Sequence, residues 1–220
     1  MRVKICCIGS IEEARLAISY GASAIGLVSA MPSGPGPIPE DLIASIAAKA
    51  PPSVATFLLT CKQDASAIIE QHRRTKTNTI QIVDGFAVAE YGVLRKELPG
   101  VKLVQVVHVQ DDKSVKRAVE VSEYVDAILL DSGNPNLAKK ELGGTGRVHD
   151  WTISKKIRGT VNIPIFLAGG LNSENVAQAI DIVKPFAVDV CSGVRTNERL
   201  DENKLSTFFV AVESTRKGQI

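Results

Sequence analysis

Val3-Lys4-Ile5-Cys6-Cys7-Ile8-Gly9-Ser10-Ile11-Glu12-Glu13-Ala14-Arg15-Leu16-Ala17-Ile18-Ser19-Tyr20-Gly21-Ala22-Ser23-Ala24-Ile25-Gly26-Leu27-Val28 holds a complete strand–helix–strand instruction. Val3–Ile8 is an apolar run of strand length. Ser10-Ile11-Glu12-Glu13 has the capping-box pattern that opens a helix. Ala24–Val28 then reads as a buried strand, apolar on both faces as a parallel sheet covered by helices requires.

The same unit recurs along the chain. Pro39-Glu40-Asp41 opens a helix with Leu42, Ile43, Ile46 and Ala47 on one face. Further strands are expected at Val54–Leu59, Thr79–Val83, Val101–Val109, Val125–Asp131, Ile163–Ala168 and Phe186–Cys191. Between them, Val115, Ala118, Val119 and Ser122, and later Val176, Ala179, Ile180 and Val183, follow helical spacing. A last helix is expected from about Glu202 to Ser214. Strand starts at 3, 24, 54, 79, 101, 125, 163 and 186 make eight strand–helix units. Eight units fit a single closed (β/α)₈ TIM barrel of the α/β class better than an open, doubly wound sheet. No linker-like tract interrupts the series, so residues 1–220 are expected to form one domain.

Composition narrows the function class. Lys plus Arg number 26 against 24 Asp plus Glu, a net charge of +2, and 45% of the 220 residues are hydrophobic. This balance suits a chain with a sizeable core and disfavours a nucleic-acid binder. No apolar run reaches the length of a membrane span. Met1-Arg2-Val3-Lys4 enters a strand at once, without a signal-peptide cleavage site, so a cytoplasmic globular protein is expected. Cys6, Cys7, Cys61 and Cys191 lack metal-ligand spacing, so neither a metal nor a disulfide scaffold is expected.

Active sites of such barrels gather at strand C-termini, so polar residues there are the ones to read. Alternation puts Lys4 and Cys6 on one face of the first strand and Cys7 on the other. A thiol at the top of the lumen could serve as nucleophile or base, although spacing alone reads it first as a small core residue. Asp131 ends the sixth strand, where it is either a catalytic carboxylate or a turn former before Ser132-Gly133. Asp189 shares the parity of Cys191, and an inward Asp189 would pair with Lys4 across the closing seam. Gly169-Gly170 and Ser192-Gly193 follow the seventh and eighth strands, where barrels commonly bind phosphate. Gly143-Gly144-Thr145-Gly146 lies in Ser132–His149, an unusually long connection, and suits either an anion loop or tight turns. His72 is expected to face solvent, and Asp150 to cap a helix beside His149. His108 reads as a structural histidine or a site residue.

The segments Val3-Lys4-Ile5-Cys6, Gly21–Gly26, Leu129-Leu130-Asp131, Gly143-Gly144-Thr145-Gly146, Asp150-Trp151, Ala168-Gly169-Gly170-Leu171-Asn172 and Pro185–Val194 together resemble the phosphoribosylanthranilate isomerase family of tryptophan biosynthesis. The resemblance implies a (β/α)₈ barrel that performs an Amadori rearrangement of an N-(5-phosphoribosyl) amine without a cofactor. It implies Cys6 as general base and Asp131 as general acid. Gly169, Gly170, Ser192 and Gly193 would then be the phosphate contacts, and Gly143, Gly144 and Thr145 part of a loop that closes over a small phosphorylated substrate. It leaves oligomeric state open. The chain departs from the family in four places. Cys7 stands where Gly is usual, and Met31–Ile38 lacks the Arg that meets the anthranilate carboxylate. The family's Gln-Leu-His-Gly is here Gln81-Ile82-Val83-Asp84-Gly85, and Gln105 aligns with a usual Lys. Arg147 and Arg195 are the available substitutes for the missing Arg. Two other readings stand beside this one. One is an isomerase of a different sugar phosphate; the other is a barrel that binds a phosphorylated ligand without turnover.

Overall fold

The computed structural model describes residues 1–217. Eight parallel strands close into a barrel: β1 (Arg2–Ile5), β2 (Ala24–Val28), β3 (Ala55–Thr60), β4 (Thr79–Ile82), β5 (Lys102–His108), β6 (Ala127–Asp131), β7 (Ile165–Leu167) and β8 (Ala187–Val190), in sequence order around the ring. Helices follow each strand: α1 (Ile11–Ser19), α2 (Glu40–Lys49), α3 (Ala65–Thr75), α4 (Val88–Glu97), α5 (Lys113–Ser122), α6 (Trp151–Thr160), α7 (Val176–Val183) and α8 (Glu202–Lys217). After β8 the chain adds a short 3₁₀ turn, Ser192–Val194, and a two-stranded ribbon, β9 (Arg195–Thr196) with β10 (Arg199–Leu200). The sequence pattern gave no sign of that ribbon.

Side-chain alternation sorts the apolar residues into two layers. The larger core lies between sheet and helices, with Ile5, Ile25, Leu58, Ile80 and Leu130 fully buried in it. The smaller one fills the lumen, where Phe57 and Phe166 meet edge-on with ring centroids 5.6 Å apart. Above these rings Lys4 Nζ donates to Asp189 Oδ1 at 2.9 Å, across the β1–β8 seam that pairs Lys4 with Asp189. The expected ion pair is therefore formed, with the Lys4 side chain wholly buried. Burial on its own would lower the Lys4 pKa. The Asp189 carboxylate, with Cys6, outweighs it and holds the ammonium above its ordinary range. Removing one partner leaves a buried uncompensated charge, so Asp189→Leu is expected to cost about 3–5 kcal/mol, read as the shift of a urea unfolding midpoint. Adding Lys4→Met to Asp189→Leu should restore most of it.

Strand boundaries are set by specific residues. The Ser10 hydroxyl accepts from the Glu13 amide at 3.1 Å and caps α1, as its sequence signature predicts. The capping box is only half formed, because the Glu13 carboxylate turns to the Gly9 amide at 2.9 Å. β1 ends earlier than the apolar run, because Cys7 takes φ +61°, a left-handed conformation that no strand can continue. Arg195 holds this turn. Its guanidinium donates to the carbonyls of Cys6 (3.2 Å) and Cys7 (2.5 Å) and pairs with Glu13 at 3.0 Å. His72 corrects another expectation: it is half-buried, with Nε2 at 2.6 Å from the Thr77 carbonyl rather than turned to solvent.

Candidate active site

At the C-terminal mouth of the barrel lies an open cleft. Its lining includes Cys6, Asp131, Gly143, Gly144, Thr145, Gly169, Gly170 and Ser192. Gly193 follows Ser192 in the same 3₁₀ turn. The residues singled out in the sequence thus converge on one rim.

Cys6 points inward: a Cβ built on Gly26 of the neighbouring strand would lie 2.8 Å from Cys6 Sγ and 3.0 Å from Lys4 Nζ. A hydrogen bond from the Cys7 thiol lowers the Cys6 pKa most. Burial opposes it, and the Lys4 ammonium adds to the lowering, so the thiol ionises below its ordinary range. Cys7 behaves in the opposite way. Its thiol is pushed well above the usual range, first by its hydrogen bond with Cys191, whose Sγ lies at 2.7 Å. Here strict alternation fails. The left-handed backbone at Cys7 brings its side chain to the cleft as well, so both cysteines line the mouth. Only their protonation separates them.

Asp131 closes β6 across the mouth, 8% exposed, with Oδ1 accepting from the Ser132 amide at 2.7 Å. The carboxylate therefore makes both the turn and a site, and the two readings of its sequence position are compatible. Gly143 of the long connection packs over it, where a Cβ would come within 2.7 Å of Asp131 Oδ2. Thr145 Oγ1 lies 2.8 Å from Ser132 Oγ, and the Gly144 backbone packs against Pro35 of the β2–α2 loop. The two loops meet over the cleft, and Ser33 donates to the Lys140 carbonyl at that junction.

Gly170 and Gly193 are glycines by necessity. Gly170 has φ +63°, and a Cβ there would sit 2.6 Å from the Arg147 carbonyl carbon. A Cβ on Gly193 would sit 2.0 Å from the Leu171 carbonyl oxygen. Both glycines let the backbone pass closely under its neighbours here, beside the 3₁₀ turn Ser192–Val194.

Other candidates settle elsewhere. His108 Nε2 lies 3.0 Å from the Val83 carbonyl, and the ring borders a second cavity rather than this one. His149 bonds Ser154 Oγ at 2.7 Å, and burial lowers its pKa. Asp150 caps α6 as expected, accepting from the Thr152 amide at 2.8 Å. Among the described residues no group of three or more His, Cys, Asp or Glu is arranged to hold a metal ion. No described helix is long and apolar enough to cross a membrane.

Residues 3–211 match the sequence model of N-(5′-phosphoribosyl)anthranilate (PRA) isomerase. The chain belongs to this family. An N-(5′-phosphoribosyl)anthranilate isomerase 2 of Methanosarcina mazei is 36% identical over 210 residues, 94% of this chain and 92% of its own. The Methanocella arvoryzae isomerase is 33% identical over 209 residues, 95% and 96% of the two chains. Among solved structures, the phosphoribosylanthranilate isomerase of Thermotoga maritima superposes with a TM-score of 0.83 at 28% identity, covering 97% of this chain and 99% of that one. A phosphoribosylanthranilate isomerase in complex with reduced 1-(o-carboxyphenylamino)-1-deoxyribulose 5-phosphate gives 0.81 at 26%, with the same coverage.

Against this family background the departures acquire positions. Met31, Ser33, Gly34 and Pro35 line the cleft without a cation. Neither proposed substitute reaches it: Arg195 is buried under the β1 turn, and Arg147 pairs with Glu141 outside the lining. Gln105 faces the helices, bonded to the Tyr91 hydroxyl at 2.6 Å, so its alignment with a lysine has no bearing on the cleft. Gln81, the first residue of the segment aligned with the family's Gln-Leu-His-Gly, was not among the expected site residues. It lies in the lumen, 3% exposed, and its Oε1 has no partner.

Proposed function

We propose that the chain is a cytoplasmic phosphoribosylanthranilate isomerase, working as a single domain over residues 1–220, with Cys6 as general base and Asp131 as general acid. The observation that carries this reading is that both groups line one cleft, together with Gly169, Gly170 and Ser192, in a member of the isomerase family.

The roles follow from the chemistry. With the phosphate held by the backbone at Gly169, Gly170, Ser192 and Gly193, the ribose lies between Cys6 and Asp131. Asp131, as the acid, delivers a proton to the furanose oxygen as the C1′–O bond breaks, and the amine lone pair forms the Schiff base. The Cys6 thiolate removes the C2′ proton, and its electrons shift to give an enolamine that tautomerises to the ketose. Gly143, Gly144 and Thr145 close over the substrate and exclude water. No step calls for a cofactor.

Incubation with phosphoribosylanthranilate, followed by loss of substrate fluorescence, tests the reading. Absence of turnover would remove it and bring forward the isomerase of another sugar phosphate. The Cys6 pKa sets the pH dependence. A thiol that ionises below its usual value of about 8.5 is already thiolate at lower pH, so kcat/KM should rise along an acid limb centred below that value. A midpoint above it would exclude Cys6 as the base.

The phosphate cradle carries a separate test. Gly170→Ala forces a Cβ into the Arg147 backbone at a left-handed φ. KM should rise by about 10-fold or more with little change in kcat, as expected when a contact made equally in ground and transition states is lost. Sulfate soaked into crystals should occupy the same amides.

A further inference from the structure

We propose that Cys7 and Cys191 form a modification site at the rim of the cleft, a dithiol that hydroperoxides convert to a Cys7–Cys191 disulfide.

The first observation is proximity. Cys7 Sγ and Cys191 Sγ lie 2.7 Å apart, although 184 positions separate the two residues in sequence. Both are free cysteines, and both line the cleft. The seam of the barrel explains their meeting. β1 and β8 run parallel with Ile5 opposite Val190, so the chain delivers Cys7 and Cys191 to one level of the mouth. Neighbouring strands lie about 4.8 Å apart, a span that a disulfide bridges. Cys61 shows the contrast. It follows β3, two strands away from β1, with its thiol 3.4 Å from the Ala30 carbonyl.

The second observation is restraint. The Arg195 guanidinium donates to the Cys6 and Cys7 carbonyls and fixes the turn from which the Cys7 side chain projects. Arg195 follows the 3₁₀ turn Ser192–Val194 that Cys191 opens. One clamp therefore ties the backbone of Cys7 to the segment that carries Cys191, and the sulfurs meet without remodelling the sheet.

The third is the chemistry open to such a pair. Cys191 is half-buried and Cys7 buried, so the Cys191 thiolate is the one that meets an oxidant entering the mouth. It attacks a peroxide oxygen and the O–O bond breaks. The sulfur becomes a sulfenic acid, and water leaves with the proton that the thiol gave up. Cys7 sulfur then attacks Cys191 sulfur, the S–O bond breaks, and the Cys7 proton departs with the hydroxide as a second water. Two thiols are oxidised by two electrons, and one peroxide is reduced.

The bond would reach the site through Cys6. Cys6 faces Lys4 of its own strand, Asp189 of β8 and the Cys7 thiol, with Asp131 across the mouth. A disulfide removes the S–H that Cys7 donates to Cys6, so ionisation of Cys6 moves to higher pH. This effect on catalysis rests on the isomerase reading above; the disulfide does not.

Hydrogen peroxide is the probe. The unmodified protein should fall from four free thiols to two, recover them with dithiothreitol, and give one crosslinked peptide pair, Cys7 with Cys191, by mass spectrometry. A closed loop of that span constrains the unfolded chain, so the oxidised protein should run faster on a non-reducing denaturing gel. Cys7→Ser and Cys191→Ser should each abolish the crosslink, while Cys6→Ser and Cys61→Ser should keep it. Alkylation of Cys6 by iodoacetamide, followed by mass against pH, should have its midpoint at higher pH after oxidation. In Cys191→Ser, peroxide should leave that midpoint in place. A crosslink through Cys6, or oxidation of single cysteines with no crosslink, overturns the proposal. A crosslink with an unmoved midpoint overturns its hold on Cys6. Turnover of phosphoribosylanthranilate is measured in parallel. A crosslink in a protein that is inactive even when reduced would overturn the isomerase reading and uphold the dithiol, and turnover in a protein that never crosslinks would do the reverse.

Discussion

Cys6→Ser is expected to lower kcat/KM for phosphoribosylanthranilate by about 10²–10⁴-fold, the range for loss of a general base. A serine hydroxyl fills the same space but does not ionise near neutral pH, so the environment that favours a thiolate gains nothing from it. Cys7→Gly should be mild, within about 10-fold, even though both thiols line the cleft. Glycine accepts φ +61° without the crowding that a Cβ meets there, so the turn is preserved. What Cys7→Gly should move is the acid limb of the pH profile. It removes the hydrogen bond that does most to lower the Cys6 pKa, so the limb should shift to higher pH. Activity surviving in Cys6→Ser and lost in Cys7→Gly would exchange the two cysteines' roles.

Asp131→Asn should be as damaging, again about 10²–10⁴-fold, because an amide has no acidic proton for the ring oxygen. The substitution keeps the acceptor oxygen that meets the Ser132 amide, so the turn and the packing of Gly143 should survive. The two losses differ in what they block. With Asp131→Asn the furanose stays closed; with Cys6→Ser the ring can open but C2′ keeps its proton. Solvent-deuterium exchange at C2′ should therefore be lost in both, while an open Schiff base should be trapped by borohydride only in Cys6→Ser. Trapping in neither variant would assign ring opening to another group.

Most of the architecture was legible because buried parallel strands announce themselves as apolar runs bounded by turn residues. The eight expected starts lie within two residues of those observed, the widest being 125 against Ala127 and 163 against Ile165. Cys6, Asp131 and the glycine pairs were legible for the same reason, since barrel geometry gives strand ends a meaning before any coordinates exist. Cys7 was misread because alternation assumes extended backbone, and nothing local marks a cysteine forced into a left-handed turn. Its restraint comes from Arg195, 188 positions away. Gln81 was quoted only as part of a family motif, because the missing partner at its Oε1 is visible only when every neighbour is in place. Arg195 was misplaced for the converse reason: its partner Glu13 was already assigned to the cap of α1.

The seam between β1 and β8 gives the barrel an order of assembly during synthesis. Arg2–Ile5 leaves the ribosome first, yet its pairing with Ala187–Val190 waits for the far end of the chain. At about 5–20 residues per second, roughly 10–40 s pass between the emergence of Lys4 and that of Asp189. For that interval Lys4 has no carboxylate to meet, and the hydrogen-bonding edge of its strand is open to other chains. A nascent chain is therefore most vulnerable at the strand that leads into Cys6, the proposed base, and the barrel closes only once β8 has been made.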